Sequence, residues 1–163
     1  MSDEELPVDY AAIERARERL VDEVAKPTPV EQSTSLGRRI DAEAYLKLEH
    51  LQWTGSFKTR GAYNKIVQDV ERGVDEVVAA SAGNHAQGVA FAATQCGAES
   101  TIVMPENAPQ AKVDATRDYG GTVELVGRNF QEAMRHAQER CEEKGAEFVH
   151  AYDDPDIIAG QGT

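Results

Sequence analysis

The sequence predicts an α/β protein: an open parallel sheet with flanking helices. Three observations predict it. Short apolar runs at Val77–Ala80, Thr101–Met104 and Thr122–Val126 read as buried strands, with a weaker candidate at Phe148-Val149. Helical periodicity fills the gaps between them, and Gly or Pro punctuates the joints. Strands and helices alternating at this spacing imply right-handed βαβ units.

Residues 9–25 read as an amphipathic helix with Ile13, Ala16, Leu20 and Val24 on one face, ended by Pro27. Pro27-Thr28-Pro29 forces an extended segment. Residues 44–49 alternate like a strand, although neither this strand nor the first helix has an obvious partner. Ser56 suits an N-cap, and from there a helix is predicted to about Arg72, with Tyr63, Ile66, Val67 and Val70 at core spacing and Gly73 as its stop. A second helix of the βαβ region starts at Asn84 and places Ala86, Val89, Ala90 and Ala93 together. A third starts near Pro109, a residue suited to the first helical position, and stops at Gly120. A fourth runs from Asn129 to Gly145 with Phe130, Ala133, Met134, Ala137 and Cys141 on one face. The final residues, Asp153–Thr163, read as a capped helix that has barely begun.

Length and composition bound the function. The chain has 163 residues, 40% hydrophobic and 28% charged, enough for one domain with a real core. No apolar stretch approaches a membrane span, and no basic-then-apolar leader opens the chain, so a cytoplasmic protein is expected. The net charge of −12 offers no basic stripe for nucleic acid. Its acid groups are dispersed, and only 6 of the 17 cations are Lys, which suggests a halophilic source. Cys96 and Cys141 fall in helical patterns and read as small buried hydrophobes, neither a disulfide nor a metal pair.

Two motifs carry the chemistry. Thr54-Gly55-Ser56-Phe57-Lys58-Thr59-Arg60-Gly61-Ala62 sets Lys58 in the first turn of a helix. The positive end of the helix dipole and desolvation beside Phe57 both disfavour its ammonium form, which is how an amine becomes nucleophilic. Alone, such a lysine reads as a surface residue. Ser81-Ala82-Gly83-Asn84-His85-Ala86-Gln87-Gly88 follows a strand and opens a helix, at the sheet edge where open α/β folds bind ligands. Its successive N–H groups make an anion site, and Asn84 adds an amide. Alone, this is an N-capped helix with a packed histidine.

Together the motifs resemble the fold-type II pyridoxal-phosphate enzymes, which share the tryptophan synthase β-like fold, and among them the threonine dehydratases (threonine ammonia-lyases). The matching stretches are Lys47-Leu48-Glu49 with Gln52, Thr54–Ala62, Ser81–Ala90, Ile102–Pro105, Ala108-Pro109 with Lys112-Val113, Gly127 with Phe130, and Asp153–Thr163. The resemblance implies that Lys58 holds pyridoxal 5'-phosphate as a Schiff base and later removes the substrate's Cα proton. It implies that Phe57 packs beside the pyridine ring and that Asn84 hydrogen-bonds the ring hydroxyl oxygen. Ser81, Ala82, Gly83, Asn84 and His85 would bind the substrate carboxylate, mostly through backbone N–H groups. Ser81 matches a residue that serves as an acid in racemase relatives, and a positioning role is expected of it here. No metal is implied.

The implied reaction is β-elimination: L-threonine to 2-oxobutanoate and ammonia, with L-serine giving pyruvate, a step of isoleucine biosynthesis. Serine racemase, another β-elimination or β-replacement enzyme, and a non-catalytic remnant are the alternatives. Residues 52–150 would form the family's small domain. Residues 1–51 and 151–163 would be orphaned pieces of its larger domain. The family's glycine-rich phosphate loop and the group facing the pyridine nitrogen lie further on than Thr163. The chain therefore reads as an N-terminal fragment of a homo-oligomeric enzyme. Alone it is expected to bind the cofactor poorly, turn over little, and expose the apolar faces of its first helix and of residues 44–49. His50 and Trp53 depart from the family pattern without touching an implied role.

Overall fold

The computed structural model describes residues 8–20 and 24–163. The chain opens with α1 (Tyr10–Arg19), β1 (Val30–Gln32), α2 (Thr34–Ile40) and β2 (Tyr45–Lys47). It continues through α3 (Lys58–Glu71), β3 (Glu76–Ala80), α4 (Asn84–Cys96), β4 (Glu99–Met104) and α5 (Gln110–Asp118). It closes with β5 (Thr122–Leu125), α6 (Phe130–Lys144), β6 (Glu147–Phe148) and α7 (Pro155–Gln161).

Four strands form a parallel sheet in the order β5-β4-β3-β6. Register runs from Glu76↔Glu99 to Ala80↔Val103 between β3 and β4, and from Thr101↔Thr122 to Met104↔Leu125 between β4 and β5. Successive strand residues face opposite sides, so each strand feeds two cores. Val77, Ala79, Ile102 and Met104 pack with Ala62 and Ile66 of α3, Val89 of α4 and Val113 of α5. Val78, Ala80 and Val103 pack on the other side with Ala133 and Ala137 of α6. Cys96 joins the first core and Cys141 the second, both free, with burial pushing each thiol up to about 11. The sheet separates them, as expected of two packed hydrophobes.

Local chemistry sets most boundaries. The Asn129 side chain accepts from Glu132 N at 3.1 Å, and Glu132 accepts in return from Arg128 N at 2.9 Å, a reciprocal cap for α6. Gly97 and Gly145 end α4 and α6 in the left-handed region, where a side chain would be strained. Asp154 caps α7 by accepting from Asp156 N and Ile157 N. Buried Lys65 bridges Asp69 at 3.0 Å and Glu147 at 2.9 Å, tying α3 to the end of the sheet.

Five expectations change. The first helix stops at Arg19: Leu20, at ψ 68°, leaves the helical region, and Val24 is buried from a turn. The part of that expectation on residues 21–23 lies outside the described residues. Pro109 is the cap rather than the first helical residue, because its ψ of 127° is extended. β5 is a sheet edge with Thr122 and Leu125 exposed, so it is not a buried strand. The strand at residues 44–49 has a partner: β2 pairs antiparallel with β1, from Val30↔Lys47 to Gln32↔Tyr45. The first helix also has one, since Ile13 approaches α7 and Gly162. α2 was not foreseen, because none of its residues is buried and it carries no apolar stripe to read.

α7 lies against α3 at a crossing of small residues. A Cβ at Gly160 would fall 2.6 Å from Gly61 Cα and 2.7 Å from the Arg60 carbonyl, both backbone atoms that cannot swing aside. Gly160→Ala is therefore expected to destabilise the fold by about 1–3 kcal/mol. A lowered urea midpoint at unchanged slope is the measurement.

Candidate active site

Lys58 is the first residue of α3. Gly55, at φ 72°, makes the turn before it, and Ser56 Oγ accepts from Lys58 N at 3.4 Å. Phe57 occupies the cap position, so Ser56 supplies the expected acceptor from one residue further out. The Lys58 side chain points inward. The residue is 7% exposed, and its Nζ donates to the Ala151 carbonyl at 2.6 Å. The Tyr152 ring centroid lies 4.0 Å from Nζ and that of Phe57 5.5 Å. Desolvation lowers the Lys58 pKa below its ordinary value.

The second motif arrives from the end of β3. Ser81 N donates to the Val103 carbonyl, and Ser81 Oγ accepts from Gly83 N at 3.2 Å. Gly83 precedes α4 and has no side chain to cap it. A Cβ there would meet only Ser81 Oγ, at 4.0 Å, so the turn opens onto free space. Asn84 is exposed at the head of α4, its Oδ1 accepting from Lys112 Nζ at 3.2 Å. His85 is 4% exposed and its Nε2 donates to the Val149 carbonyl at 3.0 Å, which leaves Nδ1 buried without a partner among the described residues. Burial pushes the His85 pKa down to about 4, so the ring is neutral.

The two motifs meet at Gly88. A Cβ there would lie 3.1 Å from Lys58 C and 3.2 Å from Lys58 Cβ, so glycine allows α4 to run against the start of α3. A cavity of about 290 Å³ results, lined by Phe57 and Lys58 on one side and by Ser81, Gly83, Asn84 and His85 on the other. Ala82 is not on it and packs into the first core instead. Phe130, Ala151 and Tyr152 complete the wall, and sequence reasoning assigned none of them to the site. Phe130 was placed on a core face, yet it is 49% exposed at the head of α6. A larger concavity of about 600 Å³ lies at the opposite, amino edge of the sheet, around Arg72–Glu76 and Lys144–Ala146. It holds no comparable buried amine. Trp53 has a structural part after all: it stacks on Phe91 and accepts at its carbonyl from Tyr119 Oη at 2.7 Å, bracing the turn before Lys58.

The fold and cavity are those of an α/β domain whose buried lysine, its pKa lowered by desolvation, faces the turn that opens α4. The chain belongs to the pyridoxal-phosphate dependent enzyme family, whose model matches residues 21–163. The L-threonine ammonia-lyase of Geobacter sulfurreducens is 48% identical over 155 residues, covering 94% of this chain and 38% of that protein. The solved threonine deaminase isoform 2 of Solanum lycopersicum matches at TM-score 0.86 and 41% identity, over 94% of this chain and 43% of that one. Maize serine racemase matches at the same TM-score with 34% identity, over 94% of this chain and 47% of that one. The chain thus spans less than half the length of each.

The residues present fit the family's cofactor. A buried amine suits its aldehyde, the rings of Phe57, Phe130 and Tyr152 suit its pyridine, and the open turn at Gly83 leaves room beside them. Among the described residues no helix is long and apolar enough to cross a membrane.

The buried His85 makes stability depend on pH. Unfolded, the ring gains a proton below about 6.5, whereas the folded ring resists it until about 4. Stability from this group is complete above the unfolded value and is lost as pH falls between the two. The loss should reach about 3 kcal/mol. Urea titrations at a series of pH values should show that slope in the unaltered chain and a flatter one in His85→Asn.

Proposed function

We propose that this chain carries the reactive lysine and substrate-carboxylate site of a pyridoxal-phosphate-dependent threonine ammonia-lyase. The observation that carries the reading is Lys58 Nζ, buried in one cavity with the Ser81–His85 turn. The 48% identity to an L-threonine ammonia-lyase, against 34% to a serine racemase, supports threonine over racemisation.

When bound, pyridoxal phosphate supplies an electron sink for negative charge developing at the substrate Cα. Lys58 is the residue that would hold it, with the Phe57 ring and the Asn84 amide orienting its ring. A lysine that desolvation keeps weakly basic also serves as the base, taking the Cα proton at Nζ. Ser81, Gly83, Asn84 and His85 bind the substrate carboxylate at the head of α4, and Ala82 contributes at most its backbone. The neutral His85 ring, anchored on Val149, stiffens the turn rather than exchanging protons. Ser81 positions the turn through its bond from Gly83 N. The net reaction converts threonine to 2-oxobutanoate and ammonia, or serine to pyruvate and ammonia.

Residues 52–150 are assigned to the family's small domain, and residues 1–51 and 151–163 to its larger one. The separate pairing of β1 with β2, apart from the four-stranded sheet, supports the first boundary, whereas α7 packs on α3 of the small domain. A cytoplasmic enzyme from a salt-rich cell agrees with the free cysteines and the net charge of −12, and a homo-oligomer is proposed from the family resemblance alone.

The decisive test joins this chain to the phosphate-binding remainder that its longer relatives carry and compares the product with its Lys58→Ala variant. The visible absorbance band of bound pyridoxal phosphate should disappear, and 2-oxobutanoate formation from threonine should fall by about 10²–10⁴-fold. Retention of both would overturn the assignment, and D-serine formation from L-serine at a comparable rate would favour a racemase. The acidic surface predicts that molar potassium chloride raises the thermal midpoint, as screening relieves charge repulsion.

A further inference from the structure

Outside its own helix Lys58 Nζ meets the Phe57 ring, with the centroid 5.5 Å away, and two nearer partners from the segment between β6 and α7. The Ala151 carbonyl accepts at 2.6 Å, and the Tyr152 ring lies with its centroid 4.0 Å from Nζ. The segment is held in place by its own bonds. His150 Nδ1 accepts from Tyr152 N at 3.1 Å and from Asp153 N at 2.7 Å, and the preceding Val149 carbonyl is held by His85. Tyr152 itself is 73% exposed, so core packing does not hold its ring over the amine.

We propose that Tyr152 is a positioning residue for Lys58: its ring and the Ala151 carbonyl park the protonated amine and release it when its charge is lost. The reason is chemical. Attraction to a ring face requires a cation, and an ammonium is a far stronger donor to a carbonyl than a neutral amine is. To react, the nitrogen must first give one proton to water, and that step removes both attachments at once. The latch thus opposes the desolvation that favours the neutral form, and it keeps the idle lysine in a defined place. The titratable groups that share the cavity with Lys58 among the described residues are His85 from α4 and Tyr152 from this segment, and His150 acts on His85. Arg60 on its own helix turns away to Glu49 at 2.7 Å. The inference rests on the reading of Lys58 as the reactive amine.

The test reads the charge of Lys58 before any pyridoxal phosphate is added. Trace acetylation across a pH series, quantified on the Lys58 peptide by mass spectrometry, gives the titration midpoint of this one amine. Tyr152→Phe keeps the ring and should leave the midpoint in place. Tyr152→Leu keeps apolar bulk without a ring face and should lower it by about half a unit to one and a half units. An unmoved midpoint in Tyr152→Leu, or an equal shift in Tyr152→Phe, would overturn the proposal. In the unaltered protein, ring shielding should move the methylene protons beside Lys58 Nζ upfield in the NMR spectrum, and added pyridoxal phosphate should abolish the shift. Unshielded protons would overturn the proposal without any variant. A normal Tyr152 effect together with no 2-oxobutanoate formation by the chain joined to its phosphate-binding remainder would sink the threonine reading alone, so the two failures are distinguishable.

Discussion

Close contact between two helices at Gly88 sets the geometry of the whole site. At position 88 a side chain would press on Lys58 at 3.1–3.2 Å, so glycine lets α4 approach the Lys58 backbone without crowding. That approach brings the head of α3 beside the head of α4, two elements separated in sequence by β3. The same pairing buries Ala62 and Ile66 of α3 with Val89 and Ala93 of α4, so the energy that holds the site is core packing. The cavity is a consequence of where those two helices begin.

Burial then tunes the groups that line it. Lys58 and His85 are both bases, both nearly excluded from water, and both shifted toward their neutral forms. Their outcomes differ because their partners differ. His85 is anchored to a carbonyl through the nitrogen that carries its proton, and its ring has no further exchange to make. Lys58 is anchored through contacts that favour its charged form and weaken when the charge goes. One base is a strut and the other is poised.

The segments outside the main sheet follow a different logic. Among the described residues β1 and β2 pair as strands only with each other, and Val30, Ile40, Tyr45 and Leu46 around them remain substantially exposed. Glu49 links this region to the site: it accepts from Thr28 at 2.6 Å and from Arg60 on α3 at 2.7 Å. Those bonds hold the Glu49 carboxyl at about 2 against the burial that would raise it. The Gln52 amide adds two hydrogen bonds to the Lys26 backbone, accepting from its N–H at 3.0 Å and donating to its carbonyl at 2.9 Å.

Periodicity and punctuation were enough to read the α/β class, the order of the four parallel strands' runs, and the starts of α3, α4 and α6. Each of these depends on neighbours in the chain: apolar runs long enough to be buried, Gly at helix ends, Asn129 at a cap. Lys58 and the Ser81–His85 turn were legible for the same reason, as local motifs at helix heads. Residues whose role depends on distant partners were not. Nothing near Tyr152 in the chain signals that its ring meets Lys58, and Phe130 fits a helix face as well as a cavity wall. β1 and α2 stayed hidden because a three-residue strand and a helix with no buried face carry no pattern. Local sequence chooses elements, since their hydrogen bonds close over a few residues. Only the packing of α3, α4 and the segment after β6 decides which side chains share a cavity, because those contacts join positions more than 90 residues apart, as Lys58 and Ala151 at 93 do.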